Sequence, residues 1–195
     1  IFIKYGQTEV NLGSGKISKN ISEILQELGQ DPNSANLRDT PERVAQSLKF
    51  LTSGYQEKLS SITDKALFEA QYNEMVVVQN IEFYSMCEHH LLPFFGRCHV
   101  AYIPNKKIIG ISKIPQIIDM FARRLQLQEN LTKEIGESLD RCLQPKGCAI
   151  IMEAQHLCMM MRGVQKQNSF ITTQYKSKDF KNEKEFQTFY SQIRT

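Results

Sequence analysis

Phe83-Tyr-Ser-Met-Cys-Glu-His-His-Leu-Leu-Pro-Phe-Phe-Gly96 is the stretch on which the reading of this chain turns. From Ile81 the residues alternate as in a half-buried strand: Ile81, Phe83, Ser85 and Cys87 on one face, Glu82, Tyr84 and Met86 on the other. The run ends in a thiol, a carboxylate and two imidazoles on four consecutive residues, Cys87, Glu88, His89 and His90. On an extended strand, residues 87 and 90 point to opposite faces, so both can bind one ion only if the chain turns at Cys87. Leu91-Leu-Pro93 and Gly96 supply the residues for such a turn.

Working outward, the other half of a metal set stands at Gln155-His-Leu-Cys-Met159. If that segment is a strand, His156 and Cys158 project from the same face, with Arg162 about 13 Å beyond Cys158. Cys87, His90 and Cys158 make a two-thiolate, one-imidazole set, a catalytic zinc pattern that leaves a fourth position for water. Zinc at such a site brings bound water toward neutral pKa, with His89 and His156 alongside as acid–base groups. A closed structural site that also uses His156 as fourth ligand is the competing reading. Cys98, Cys142 and Cys148 lie at apolar positions and read as core packing, and His99 as structural.

Composition narrows the class. A net charge of +3 over 195 residues lacks the dense basic face of a nucleic-acid binder. No apolar run approaches the roughly 20 residues that span a bilayer, so no membrane partner is expected. Five cysteines, odd in number and irregular in spacing, oppose a disulfide framework and favour a reducing compartment, so the expected location is the cytoplasm.

Residues 1–17 read as a loose N-terminal arm, 18–73 as an N-terminal helical region, and 74–195 as the catalytic domain. A helix is predicted from Ser18 to Leu28 with Gly29 as its stop, and Asp39-Thr-Pro-Glu-Arg43 starts another. Residues 55–73 are expected to hold one short helix. Strands are predicted over 75–86, 96–103, 108–111, 148–161 and 170–175. Helices are predicted from Pro115, over 130–143 and over 182–193. This order reads as α+β with a mostly antiparallel sheet.

Four segments together, Ser85–Phe94, Gly110-Ile-Ser-Lys113, Arg123–Thr132 and His156–Gly163, resemble the GTP cyclohydrolase I family. The resemblance runs from about Asp39 to the closing helix. It implies the tunnelling fold, an antiparallel sheet with two helices on one face, whose sheets close into a barrel of five subunits, two rings stacking as a homodecamer. It implies conversion of GTP and water to 7,8-dihydroneopterin triphosphate and formate, the first step of pterin (folate or tetrahydrobiopterin) biosynthesis. Zn²⁺ would be held by Cys87, His90 and Cys158. His89, His156 and Ser112 would be catalytic, with Ser112 near the ribose. Glu129 and Gln128 would contact guanine, while Lys113, Arg162 and Arg43 would meet the triphosphate, Arg43 serving a neighbour's pocket in the assembly.

The sequence departs from the family pattern in places. Gln116 stands where many members carry an arginine, three residues after the Ser-Lys lysine, and Phe170 and Tyr175 stand where small residues are usual. Two other enzymes of the same fold are rivals. A pyruvoyl-tetrahydropterin synthase uses three histidines on zinc, and a nitrile reductase uses a cysteine nucleophile without zinc. The Cys87 and Cys158 pairing disfavours the first, and a protein without zinc would favour the second.

Overall fold

A computed structural model describes residues 14–194. The chain packs as two units, one ending at Phe50 and one beginning at Leu51. Residues 51–73, expected with the N-terminal helices, pack inside the second unit. The predicted arm falls mostly outside the described residues, but its last four residues are helical.

In the first unit, α1 runs Ser14–Glu27 and α2 begins at Thr40 and ends at Leu51. Gly29, with φ 76°, follows α1 in the left-handed conformation that glycine adopts without a Cβ penalty. Pro41 sits in the first turn of α2, where its missing N–H costs nothing.

In the second unit a 3₁₀ turn, Ser53–Tyr55, precedes α3 (Leu59–Thr63). The elements β1 (Leu67–Glu69) and β4 (Lys107–Ile109) form a two-stranded ribbon. The main sheet comprises β2 (Val76–Cys87), β3 (Pro93–Ile103), β5 (Leu125–Gln126), β6 (Gly147–His156) and β7 (Ile171–Lys178). Its order is β5-β2-β3-β6-β7, antiparallel except where β5 runs parallel to β2. The expected α+β architecture is present.

Helices α4 (Lys113–Ala122) and α5 (Gln128–Leu143) cover one face. Their apolar stripes, with Ile114, Ile117, Ile118, Leu131, Ile135 and Leu139, meet Phe83, Phe94, Val100, Ile150 and Met152. Each such side chain removed from water contributes about 1.5–3 kcal/mol, which is what holds the helices on the sheet. The closing helix α7 (Glu183–Ile193) lies on the other face. Phe186 and Phe189 pack against Ala101, Ala149 and Ile151, which have the opposite strand parity.

Two predicted boundaries move. The strand predicted over 148–161 stops at His156, and Leu157–Met160 forms a short helix, α6. The hairpin strand predicted from Gly96 begins at Pro93. Among the described residues no helix is long and apolar enough to cross a membrane.

Candidate functional site

The turn required by the Cys87/His90 spacing is present. Cys87 ends β2, and its carbonyl accepts from the amides of Leu91 at 2.9 Å and His90 at 3.4 Å. Leu91 takes φ 52°, and the Cys87 amide donates to Leu92 O at 2.9 Å, so the chain doubles back within five residues. Alongside, β5 pairs with Met86 and Cys87, and the Glu88 amide donates to Gln126 O at 3.1 Å. Gln126 is buried and donates to Phe121 O and Glu134 Oε2, which fixes that neighbouring strand.

β5 is in turn clasped from residues 53–55. The Arg124 guanidinium lies 4.8 Å from the Phe121 ring centre and 5.7 Å from that of Tyr55, and its Nε donates to Gly54 O and Met120 O. Tyr55 Oη accepts from the Leu125 amide at 3.1 Å.

Cys158, on α6, completes the set. The ligand atoms of Cys87, His90 and Cys158 lie within 4.8 Å of one another, and Cys87 Sγ is 3.8 Å from His90 Nδ1. Tetrahedral zinc with sulfur at 2.3 Å and nitrogen near 2.0 Å separates its ligands by about 3.5–3.8 Å, a spacing the Cys87–His90 pair already has and the whole set approaches. Burial, then the neighbouring Cys87 thiol, pushes the Cys158 thiol above its ordinary range. A cation between the two sulfurs reverses that bias, because metal binding draws thiols into their deprotonated form. These three residues could hold a metal ion.

His156 stands apart from this group. The strand reading placed it on the same face as Cys158. Instead the chain leaves the strand between them, and His156 Nε2 lies 2.8 Å from Gln128 Oε1. Its ring stacks on Phe94 at 4.6 Å with the planes 6° apart, as the Phe94–His156 strand pairing allows. A closed four-ligand set that includes His156 is not the arrangement seen. Burial lowers the His156 pKa, while the Glu129 carboxylate opposes the shift.

Other candidates occupy less enclosed places. His89 is exposed, with Nε2 3.9 Å from Glu88 Oε1 and its ring edge-on to His90. Glu129 is exposed in the first turn of α5. Ser112 stands at the N-cap position of α4 at the surface, without a side-chain cap hydrogen bond, and Lys113 Nζ donates to Gln116 Oε1 at 3.2 Å, so Gln116 holds the lysine head. Arg162, expected far along a strand, folds back to donate to Cys158 O at 3.4 Å. Arg43 lies in the N-terminal unit, exposed on α2 and paired with Asp39 at 3.3 Å.

Gln128, expected against the base, is 1% exposed. Its amide nitrogen donates to Ile171 O, Thr173 Oγ1 and Met152 O, and its oxygen faces His156. Thr132, Thr173 and Phe94 around it were not singled out from sequence. The one available signal was the Gln128/Thr132 spacing of four on a helix.

Tyr175 and Phe170, the atypical tail residues, part company. Phe170 is exposed. Tyr175 lies over Gly136 of α5 and donates to Asp140 Oδ2 at 2.6 Å, so a glycine in the helix makes room for the bulky ring.

Comparison with known proteins agrees with the sequence reading. The family model for GTP cyclohydrolase I matches residues 17–194. The protein named GTP cyclohydrolase 1 from Coxiella burnetii is 58% identical over 160 residues, 82% of this chain and 87% of its own. Its namesake from Alkalilimnicola ehrlichii is 51% identical over 183 residues, 93% and 99% of the two chains. A crystal structure of the archaeosine synthase QueF-Like in the apo form resembles 55% of this chain and 96% of its own, at a TM-score of 0.47 and 15% identity. A match over nearly the whole chain, with relatives above half identity, means that this chain belongs to the GTP cyclohydrolase I family of enzymes.

Proposed function

We propose that this protein hydrolyses GTP at a zinc centre to give 7,8-dihydroneopterin triphosphate and formate, the entry to pterin biosynthesis. The observation that carries the reading is the convergence of Cys87, His90 and Cys158, whose ligand atoms lie within 4.8 Å although they come from the last residue of β2 and the segments that follow β2 and β6, two strands kept apart in the sheet by β3. Zinc bound there supplies a Lewis acid and water acidified toward neutral pH.

The chain's own residues do the rest. His89 donates a proton at the purine N7, and His156 moves protons at the same ring as it opens at C8 and loses that carbon as formate. Glu129 accepts from guanine N1–H and the 2-amino group together, a pair that adenine does not offer, so an acceptor-only carboxylate selects guanine. Ser112 assists ribose opening before the ring recloses. Lys113, Arg162 and Arg43 pair with the triphosphate, and Gln116 leaves one family cation unreplaced.

The proposed working form is a cytoplasmic homodecamer of two stacked five-subunit barrels. Closing the sheet in this way removes its open edges.

The test measures zinc content and GTP turnover on one preparation, reading formate and, after oxidation, fluorescent neopterin. About one zinc per chain with both products is the expected result. A zinc-loaded protein that gives neither product overturns the reading.

A further inference from the structure

The hydrogen bonds around Gln128 define which nitrogen of His156 carries its proton. The amide nitrogen of Gln128 faces Ile171 O at 2.9 Å, Thr173 Oγ1 at 3.1 Å and Met152 O at 3.2 Å. Two of these are carbonyl oxygens, which only accept, so the nitrogen end must face them. Flipping the amide would set oxygen against oxygen in a site that water does not reach.

The threonines enforce the same sense. Thr132 Oγ1 donates to Gln128 O at 2.7 Å, so its lone pairs are left to accept from Thr173 Oγ1 at 2.6 Å. With its own proton spent on Thr132, Thr173 accepts from the Gln128 amide. The donors therefore run one way around a closed ring: Gln128 amide, Thr173 hydroxyl, Thr132 hydroxyl, Gln128 carbonyl. The Gln128 amide oxygen is left pointing at His156 Nε2, 2.8 Å away.

We propose that Gln128 is a positioning residue that fixes His156 as the Nε2–H tautomer, leaving the Nδ1 lone pair as the nitrogen that exchanges protons with substrate. An amide oxygen only accepts, so Nε2 must be the donor, and a neutral imidazole then has its lone pair at Nδ1. Phe94, stacked on the ring, fixes its plane, while Gln128 fixes the rotation within that plane. Gln128 thus acts through His156 and makes no contact with the base. The inference rests on the catalytic use of His156 proposed above.

The test uses zinc-loaded protein carrying ¹⁵N-histidine, at a pH near 8 where the imidazole is neutral. Wild type should give a His156 resonance protonated at Nε2, with a proton that exchanges slowly with water. Gln128→Leu should make that proton exchange fast and lower kcat about 10- to 100-fold, with KM for GTP changed less than about twofold and zinc retained. Thr173→Val, which removes a single hydroxyl from the ring, should move exchange and kcat in the same direction by less, and it decides the matter if Gln128→Leu does not fold.

A wild-type proton on Nδ1, or an Nε2 proton that exchanges equally fast in wild type and variant, overturns the proposal. So does a Gln128→Leu effect confined to KM, because that is the mark of a base contact. Wild type that protects Nε2–H yet turns over no GTP leaves the tautomer assignment standing and overturns the function assigned to the site.

Discussion

Gly96→Ala tests the packing that seats the site. Gly96 lies in β3 between Phe83 of β2 and Ala154 of β6, two residues from the Phe94–His156 pair. A Cβ at position 96 meets the backbone of β6, colliding with Glu153 O and standing 2.7 Å from Ala154 Cα. Neither obstacle is a side-chain tip that can rotate away, so the two strands must part. Overpacking costs about 1–3 kcal/mol, and a backbone obstacle puts this case near about 3. For a chain of this size that lowers Tm by about 6–12 °C. Denaturant melts should show a lower midpoint with an unchanged slope, meaning lost stability rather than an altered denatured state. The strand shift should also loosen the Phe94–His156 stack and lower kcat.

Gly136→Ala provides the contrast. There the obstacle is the Tyr175 ring, which Asp140 holds, and adding Tyr175→Leu should recover much of the loss. No single side-chain change should rescue Gly96→Ala. A Gly96→Ala melt within about 2 °C of wild type would refute the reasoning.

His156→Ala should keep about one zinc per chain by metal analysis while turnover falls by about 10²-fold or more; metal loss would restore the four-ligand reading. Glu129→Gln should lower kcat/KM for GTP by about 10- to 150-fold, the value of a charge-assisted pair of hydrogen bonds, and steady-state kinetics with zinc content unchanged will measure it. Chelating the metal should lower Tm, and restoring zinc should recover it, because the ion binds the folded ligand set.

The pH prediction concerns His99, which is buried and whose Nδ1 accepts from the Asn80 amide at a bulge in β2. Burial lowers its pKa, so the fold favours the neutral ring. Its contribution is present above the ordinary histidine range near 6.5 and is lost as pH falls through the lower folded value. His99→Gln, which keeps an acceptor without a titration, should therefore lose less Tm than wild type between pH 8 and 5.

Sequence and structure agree where a pattern is long enough to carry its own signal. The alternation from Ile81 to Cys87 marked both the strand and the place where it had to turn, because two ligands on opposite faces cannot otherwise meet. The four-residue steps of Leu131, Ile135, Leu139 and Leu143 marked α5 in the same way. Leu157-Cys-Met-Met160 defeated the reading: a run of apolar residues has neither period, so strand and helix look alike. β1 and β5 escaped because strands of two or three residues exist only by virtue of their partners, whereas β4 was marked by its apolar run from Ile108. The burial of Gln128 escaped for a related reason. At the first residue of a helix a glutamine reads as a polar cap, and only its carbonyl neighbours from β6 and β7 reveal a buried amide.

The clasp on β5 sets the order in which the site can come apart. Two residues of parallel pairing cannot hold themselves, so Leu125–Gln126 depends on Arg124 between Phe121 and Tyr55 and on the buried Gln126 side chain. The amides of Leu125 and Glu88 are hydrogen-bonded into that small block, one to Tyr55 Oη and one to Gln126 O. Amide exchange should therefore find these two amides opening together, ahead of those in the long strands β3 and β6. Tyr55, far from Cys87 in sequence, thereby belongs to the frame around the cysteine that ends β2.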